Sequence, residues 1–119
     1  MAIAALVLTG LVAVLHLLFM YMETIGWPKM GRRMGLSKDE VATTRTLAAN
    51  QGAYNGGIGL LLIWAMATGN DPASIALLVF IAVMGIIGAL TASKTIIIVQ
   101  TLPALAALTM HIIVAMMPG

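Results

Sequence analysis

His16 and Glu23 stand seven residues apart in an otherwise apolar run, MAIAALVLTGLVAVLHLLFMYMET. Seven residues is close to two α-helical turns, so the imidazole and the carboxylate share one helix face. Such a pair can exchange a proton, as a general base and its conjugate acid do. It can hold a cationic ligand, or it can serve architecture as one half of an ion pair, with Arg33 or Arg45 as partners for Glu23. An ionisable group in a run of this kind is costly, and it is kept facing a protein interior or a water-filled cavity. Further on, LAANQGAYNG places Gln51 four residues before Asn55 and Asn50 four before Tyr54. A helix through this segment carries two adjacent polar stripes whose amides and phenol can position a ligand or stabilise developing charge. Gln100 adds a third polar position, and Trp27 lies close to Glu23 in sequence. Two ligands, His16 and Glu23, are too few for zinc, and carboxamides are poor substitutes, so no metal site is expected. The architectural reading of the amides, of Thr91 and of His111 is that they hydrogen-bond neighbouring helices.

The elements that position these groups follow from composition. Of 119 residues, 61% are hydrophobic and 8% charged, where soluble domains carry about 25% charged residues. A soluble chain of this size cannot hide so much apolar surface. With about 20 apolar residues needed per crossing, the chain is predicted to be all-α, an integral membrane four-helix bundle in one domain over residues 1–119. The spans fall at about 2–24, 38–68, 73–92 and 95–117. The first run lacks a basic n-region and is too long for a signal peptide. There is no cysteine, which excludes disulfides and thiolate chemistry. The net charge of +2 is too small for a nucleic-acid surface and reads as a topology signal.

Local signals set the boundaries. Gly26, Pro28, Gly31 and Gly35 are expected to interrupt any helix between residues 25 and 36. Ser37 to Glu40 forms a capping box that starts the second helix. That helix, about 45 Å long, exceeds the hydrocarbon thickness, so its first turns should project into the interface. Gly69 suits the residue just past its end, and Asn70-Asp71-Pro72 reads as a tight turn with Pro at the first helical position. Ser93-Lys94 makes the last turn, and Pro103 should kink the final span or free a carbonyl. Trp27 and Trp64 read as interface anchors or packing residues, and the methionines as gap fillers. Lys29, Arg32, Arg33, Lys38, Arg45 and Lys94 all fall on one side and Asp71 on the other. The positive-inside rule puts the basic segment 25–36 in the cytoplasm and both termini outside the plasma membrane. Laid into a slab about 30 Å thick, His16, Glu23, Asn50, Gln51, Tyr54, Asn55, Thr91 and Gln100 share the cytoplasmic half with Arg45. The outer half holds only Thr9, Thr109 and His111. One buried polar cluster, turned to the bundle interior or to a subunit interface, is the economical arrangement, and Gly52-x-x-x-Gly56 permits close helix approach there.

Three stretches carry a family resemblance: His16 to Trp27 (H-x4-Y-x-E-x3-W), Leu47 to Gly56 (LAANQGAYNG) and Val99 to Ala104 (VQTLPA). They resemble the small membrane family catalogued as domain of unknown function 1304, over essentially the whole chain. The resemblance implies a four-helix integral membrane protein and names no activity or cofactor. Arg45 through Asn50 is faintly similar to the second span of small glutathione-dependent enzymes of eicosanoid metabolism, but Tyr54 and Asn55 stand where those enzymes carry an acid, against glutathione activation. Three functions therefore fit the sequence. One is binding or transport of a small polar or amphipathic ligand in a cytoplasm-facing pocket, in a homo-oligomer. A second is a membrane enzyme acting on a lipophilic substrate with Glu23 or His16 as general base. A third is a structural or assembly subunit.

Overall fold

The computed structural model describes residues 2–118. Among these the chain is all-α, 87% helical and without strands. Helices α1 (Ala2–Glu23), α2 (Trp27–Arg33), α3 (Lys38–Ala67), α4 (Asp71–Thr91) and α5 (Leu102–Met116) follow in order, with a π-helical segment at Ile97–Thr101 leading into α5. Three stretches are long and apolar enough to cross a bilayer: α1, α4 and the continuous helix Ile97–Met116. They mark the chain as a membrane protein. Helix α3 has the length, at 30 residues, but not the composition. Asn50, Gln51, Tyr54 and Asn55 occupy the stretch that would have to be apolar, so the residues of chemical interest are those that disqualify it as a simple hydrophobic span.

The chain forms two compact units, residues 14–60 and residues 1–13 with 61–119. In the first, α2 corrects the expectation of an irregular segment. Pro28 sits in the first turn of the helix, where its missing N–H is no loss. Gly31 is buried where a Cβ would lie 2.8 Å from Val41 Cγ2 and 3.4 Å from the Trp27 ring. Gly35, two residues past the end of α2, has a φ of 91°, which lets Leu36 N–H reach the Gly31 carbonyl at 3.0 Å and Gly35 N–H the Arg32 carbonyl at 3.0 Å. This left-handed closure favours glycine. Gly and Pro punctuate here as end markers and contact residues, not as breaks.

The start of α3 agrees with the capping box. Ser37 Oγ accepts from Glu40 N–H at 3.1 Å, and Glu40 Oε1 accepts from Ser37 N–H at 3.0 Å. These groups are exposed and lie ahead of the apolar part of α3, and the Ser37 N–H donor holds the Glu40 carboxyl below its ordinary value of 4.5. A lowered folded-state pKa contributes stability above the unfolded-state value and loses it as pH falls through the folded one. Glu40→Gln should therefore lower the thermal midpoint at about pH 7, and its gap from wild type should close at about pH 3. A gap that is unchanged at low pH would show that the box works without the carboxylate charge.

In the second unit, Gly69 has φ of 62° and Asn70 N–H meets the Ala65 carbonyl at 2.8 Å, as expected for a residue just past the helix end. The cap of α4 is Asn70, which accepts from Ala73 N–H at 3.1 Å. That moves Asp71 into the helix and Pro72 to its second position. Pro103 acts differently from a kink. The turn before it widens to Ile97–Thr101, with Leu102 N–H bonded to the Ile97 carbonyl. This π-helical turn is a recognised way to absorb an irregularity in a long helix. Gln100 Nε2 donates to the Ile81 carbonyl at 3.1 Å, and Thr101 Oγ to the Ala82 carbonyl at 3.1 Å. Gly85 makes room for this contact: a Cβ there would overlap Thr101 Oγ and lie 3.1 Å from the Thr101 nitrogen.

Candidate functional site

The unit of residues 14–60 contains most of the candidate residues. Glu23 is the last residue of α1, where the helix dipole disfavours an anion. Its Oε1 accepts from Asn55 Nδ2 at 2.6 Å, a contact between residues 32 apart that links α1 to α3. Among the described residues no lysine or arginine forms an ion pair with Glu23. The ion pair with Arg33 or Arg45, one of the sequence readings, is not the arrangement found. Placing a carboxylate at a helix C-terminus beside an amide, in an apolar segment and without a cation, is costly, and packing alone does not require it.

The contact is possible because glycines bring the two helices together. A Cβ on Gly52 would lie 2.9 Å from Thr24 Cγ2, 3.1 Å from the Met20 carbonyl oxygen and 3.2 Å from Glu23 Cβ. On Gly56 it would overlap Met20 Sδ. Gly52 and Gly56 therefore mark the face of α3 that meets α1. On a 3.6-residue helix Asn55 lies beside that face, whereas Asn50 and Tyr54 point away from it. Burial agrees: Asn55 is half-buried, while Asn50, Gln51 and Tyr54 are exposed. The glycine pair in the sequence, taken as the contact face, carries this phase information.

His16 is buried with only 1% of its surface exposed, its ring edge-on to Phe19 at a centroid distance of 5.3 Å. Seven residues of rise separate it from Glu23 by some 10 Å along α1. The two share a helix but do not form a compact acid–base dyad. Trp27 is buried and its indole N–H lies 3.3 Å from both the Val41 carbonyl and Thr44 Oγ. It packs with Val41 and Ala48, flanked by Met30 and Leu36, which is a structural role. Gln100 belongs to the other unit, half-buried against α4. Thr91 is exposed and bonds its own helix at the Ile87 carbonyl, 2.7 Å away. Trp64 is exposed.

In that other unit His111 is buried and its Nε2 lies 2.9 Å from Thr9 Oγ, which donates to the Ala5 carbonyl at 2.7 Å. With the hydroxyl proton so committed, the imidazole is the donor in the first bond and carries its proton on Nε2. His111 is thus a satisfied buried residue. Among the described residues no three His, Asp or Glu side chains gather as metal ligands.

Comparison with known proteins gives a family and no activity. The family model described as a protein of unknown function (DUF1304) matches residues 10–112. The chain is 36% identical over 106 residues to the uncharacterised protein YpaA of Lactococcus lactis subsp. lactis (strain IL1403), an alignment that covers 84% of this chain and 89% of YpaA. No solved structure matches.

Proposed function

This chain belongs to the DUF1304 family, and from that premise we propose that it is a four-span integral membrane protein that binds a small polar or amphipathic ligand, or carries it, at the Glu23–Asn55 pair. The observation that carries the reading is the 2.6 Å bond from Asn55 Nδ2 to Glu23 Oε1, made by a carboxylate with no cation in ion-pair contact. An amide holds one carboxylate oxygen by one donor. The acid keeps further acceptor capacity for a ligand N–H, O–H or cation. Asn50, Gln51 and Tyr54, exposed on α3, extend the polar surface, and at membrane depth a second copy of the chain or the ligand itself would cover them.

Charge asymmetry supports α3 as the fourth span. If α1, α3, α4 and the helix 97–116 all cross, Lys29, Arg32, Arg33 and Lys94 come to one side and the Asn70–Asp71 turn to the other. If α3 does not cross, Lys94 moves to the opposite side from the α2 cations, against the positive-inside rule. The basic side is then the cytoplasmic face of the plasma membrane. Single cysteines introduced at Arg33 and Asp71 test the orientation in intact cells. An impermeant thiol reagent should label position 71 and not 33, and the reverse pattern would overturn it. The ligand reading itself is tested by Glu23→Gln, as argued in the Discussion.

A further inference from the structure

Helix α2 has two faces of opposite character. Trp27 and Gly31, four residues apart, are both buried. The indole bonds to Val41 and Thr44 fix how α2 is rotated about its axis. Lys29, Arg32 and Arg33 fall at i, i+3 and i+4, which places them together on the face opposite Trp27 and Gly31. All three are exposed, and among the described residues none is paired with a carboxylate. Of the acids that flank α2 in sequence, Glu23 is held by Asn55 and Glu40 by Ser37. Apolar side chains flank these cations: Ile25 is 81% exposed and Met34 64% exposed.

Exposed apolar side chains beside clustered cations are the pattern of a segment lying in the headgroup layer of a bilayer. A guanidinium offers parallel N–H donors that match two oxygens of a phosphate. Because Trp27 anchors the helix, its backbone presents the three cations on one face, where they can meet a phosphodiester together. We infer that the Lys29/Arg32/Arg33 face of α2 is a binding surface for the headgroups of anionic phospholipids. It is separate from the Glu23–Asn55 pair and does not depend on the ligand reading.

The test is native mass spectrometry of the purified protein offered equimolar phosphatidylglycerol and phosphatidylcholine in a neutral detergent. Wild type should retain the anionic lipid at least about tenfold over the zwitterionic one, since each cation near a membrane surface contributes about a fivefold preference. The triple variant Lys29→Gln/Arg32→Gln/Arg33→Gln should lose that preference, and Lys94→Gln should keep it. Arg32→Lys/Arg33→Lys, which keeps charge and removes the planar fork, should fall between. Inorganic phosphate should not displace the bound lipid. Equal retention of both lipids by wild type would overturn the inference. So would an unchanged preference in the triple variant, its folding checked by helical circular dichroism. A poorly folded triple variant leaves a decisive measurement on wild type. Raising salt should weaken anionic-lipid retention severalfold, and retention indifferent to salt would reject a charge-recognised headgroup.

Discussion

Glu23→Gln should leave the folded protein nearly as stable as wild type and remove its ligand-dependent behaviour. Glutamine keeps the length of the side chain and an acceptor oxygen, so Asn55 Nδ2 can still donate where it now reaches Glu23 Oε1 at 2.6 Å. Only ionisation is lost. Glu23→Ala removes the acceptor as well, which leaves a half-buried amide unsatisfied at a cost of about 1–3 kcal/mol. The expected stability order, by thermal unfolding in detergent, is wild type close to Glu23→Gln, with Glu23→Ala clearly lower. Both variants should lose function. If Glu23→Gln matched wild type in ligand binding from about pH 5 to 9, the carboxylate would be architectural. The reading of the chain as a structural or assembly subunit would then come to the front.

The second large effect is expected at Gly52. A Cβ there meets the Met20 carbonyl oxygen at 3.1 Å and Glu23 Cβ at 3.2 Å. The carbonyl belongs to helix backbone and cannot step aside, so α1 and α3 must separate and the Glu23–Asn55 bond must lengthen. Gly52→Ala should cost about 1–3 kcal/mol by overpacking, and Gly52→Leu should abolish most folded protein. Gly56→Ala should be milder, because the obstruction is the flexible Met20 side chain. Gly57, with nothing within 4 Å of its ideal Cβ, is the control. Gly57→Ala should be neutral or stabilising, since alanine is favoured over glycine in a helix by up to about 1 kcal/mol. Thermal midpoints of these variants give the order directly. Equal effects at Gly52 and Gly57 would mean that the helices do not approach at that face.

Helix ends written in local chemistry were legible in the sequence. The Ser37–Glu40 box and the left-handed Gly69 depend on a few neighbouring residues, and both are found as expected. Helix α2 was not legible, because Pro28 and Gly31 have their meaning only through Trp27 and Val41, which fold back on them. The widened turn at Ile97–Thr101 depends on carbonyls of α4 that receive Gln100 and Thr101, which no local pattern encodes. The site was legible in part. Depth in an apolar run singled out Glu23 and the Asn50–Asn55 segment. Depth says nothing of which way a side chain turns about its helix, so Asn55, which bonds Glu23, could not be told from Asn50 and Tyr54, which face outward, until the glycine face fixed the phase. The seven-residue spacing put His16 on the same helix as Glu23. It did not bring the two into contact, since two turns of rise keep them apart.

The most direct test of the central claim, that the Asn55-held carboxylate of Glu23 engages a small ligand, is mass spectrometry of small molecules that stay with the protein through purification from its own membranes. Wild type and Glu23→Gln would be prepared side by side at equal folded yield. The account expects at least one polar or amphipathic molecule to be enriched with wild type and depleted about tenfold or more with Glu23→Gln, a factor equivalent to about 1.4 kcal/mol of binding. Identical small-molecule profiles from the two proteins would contradict it.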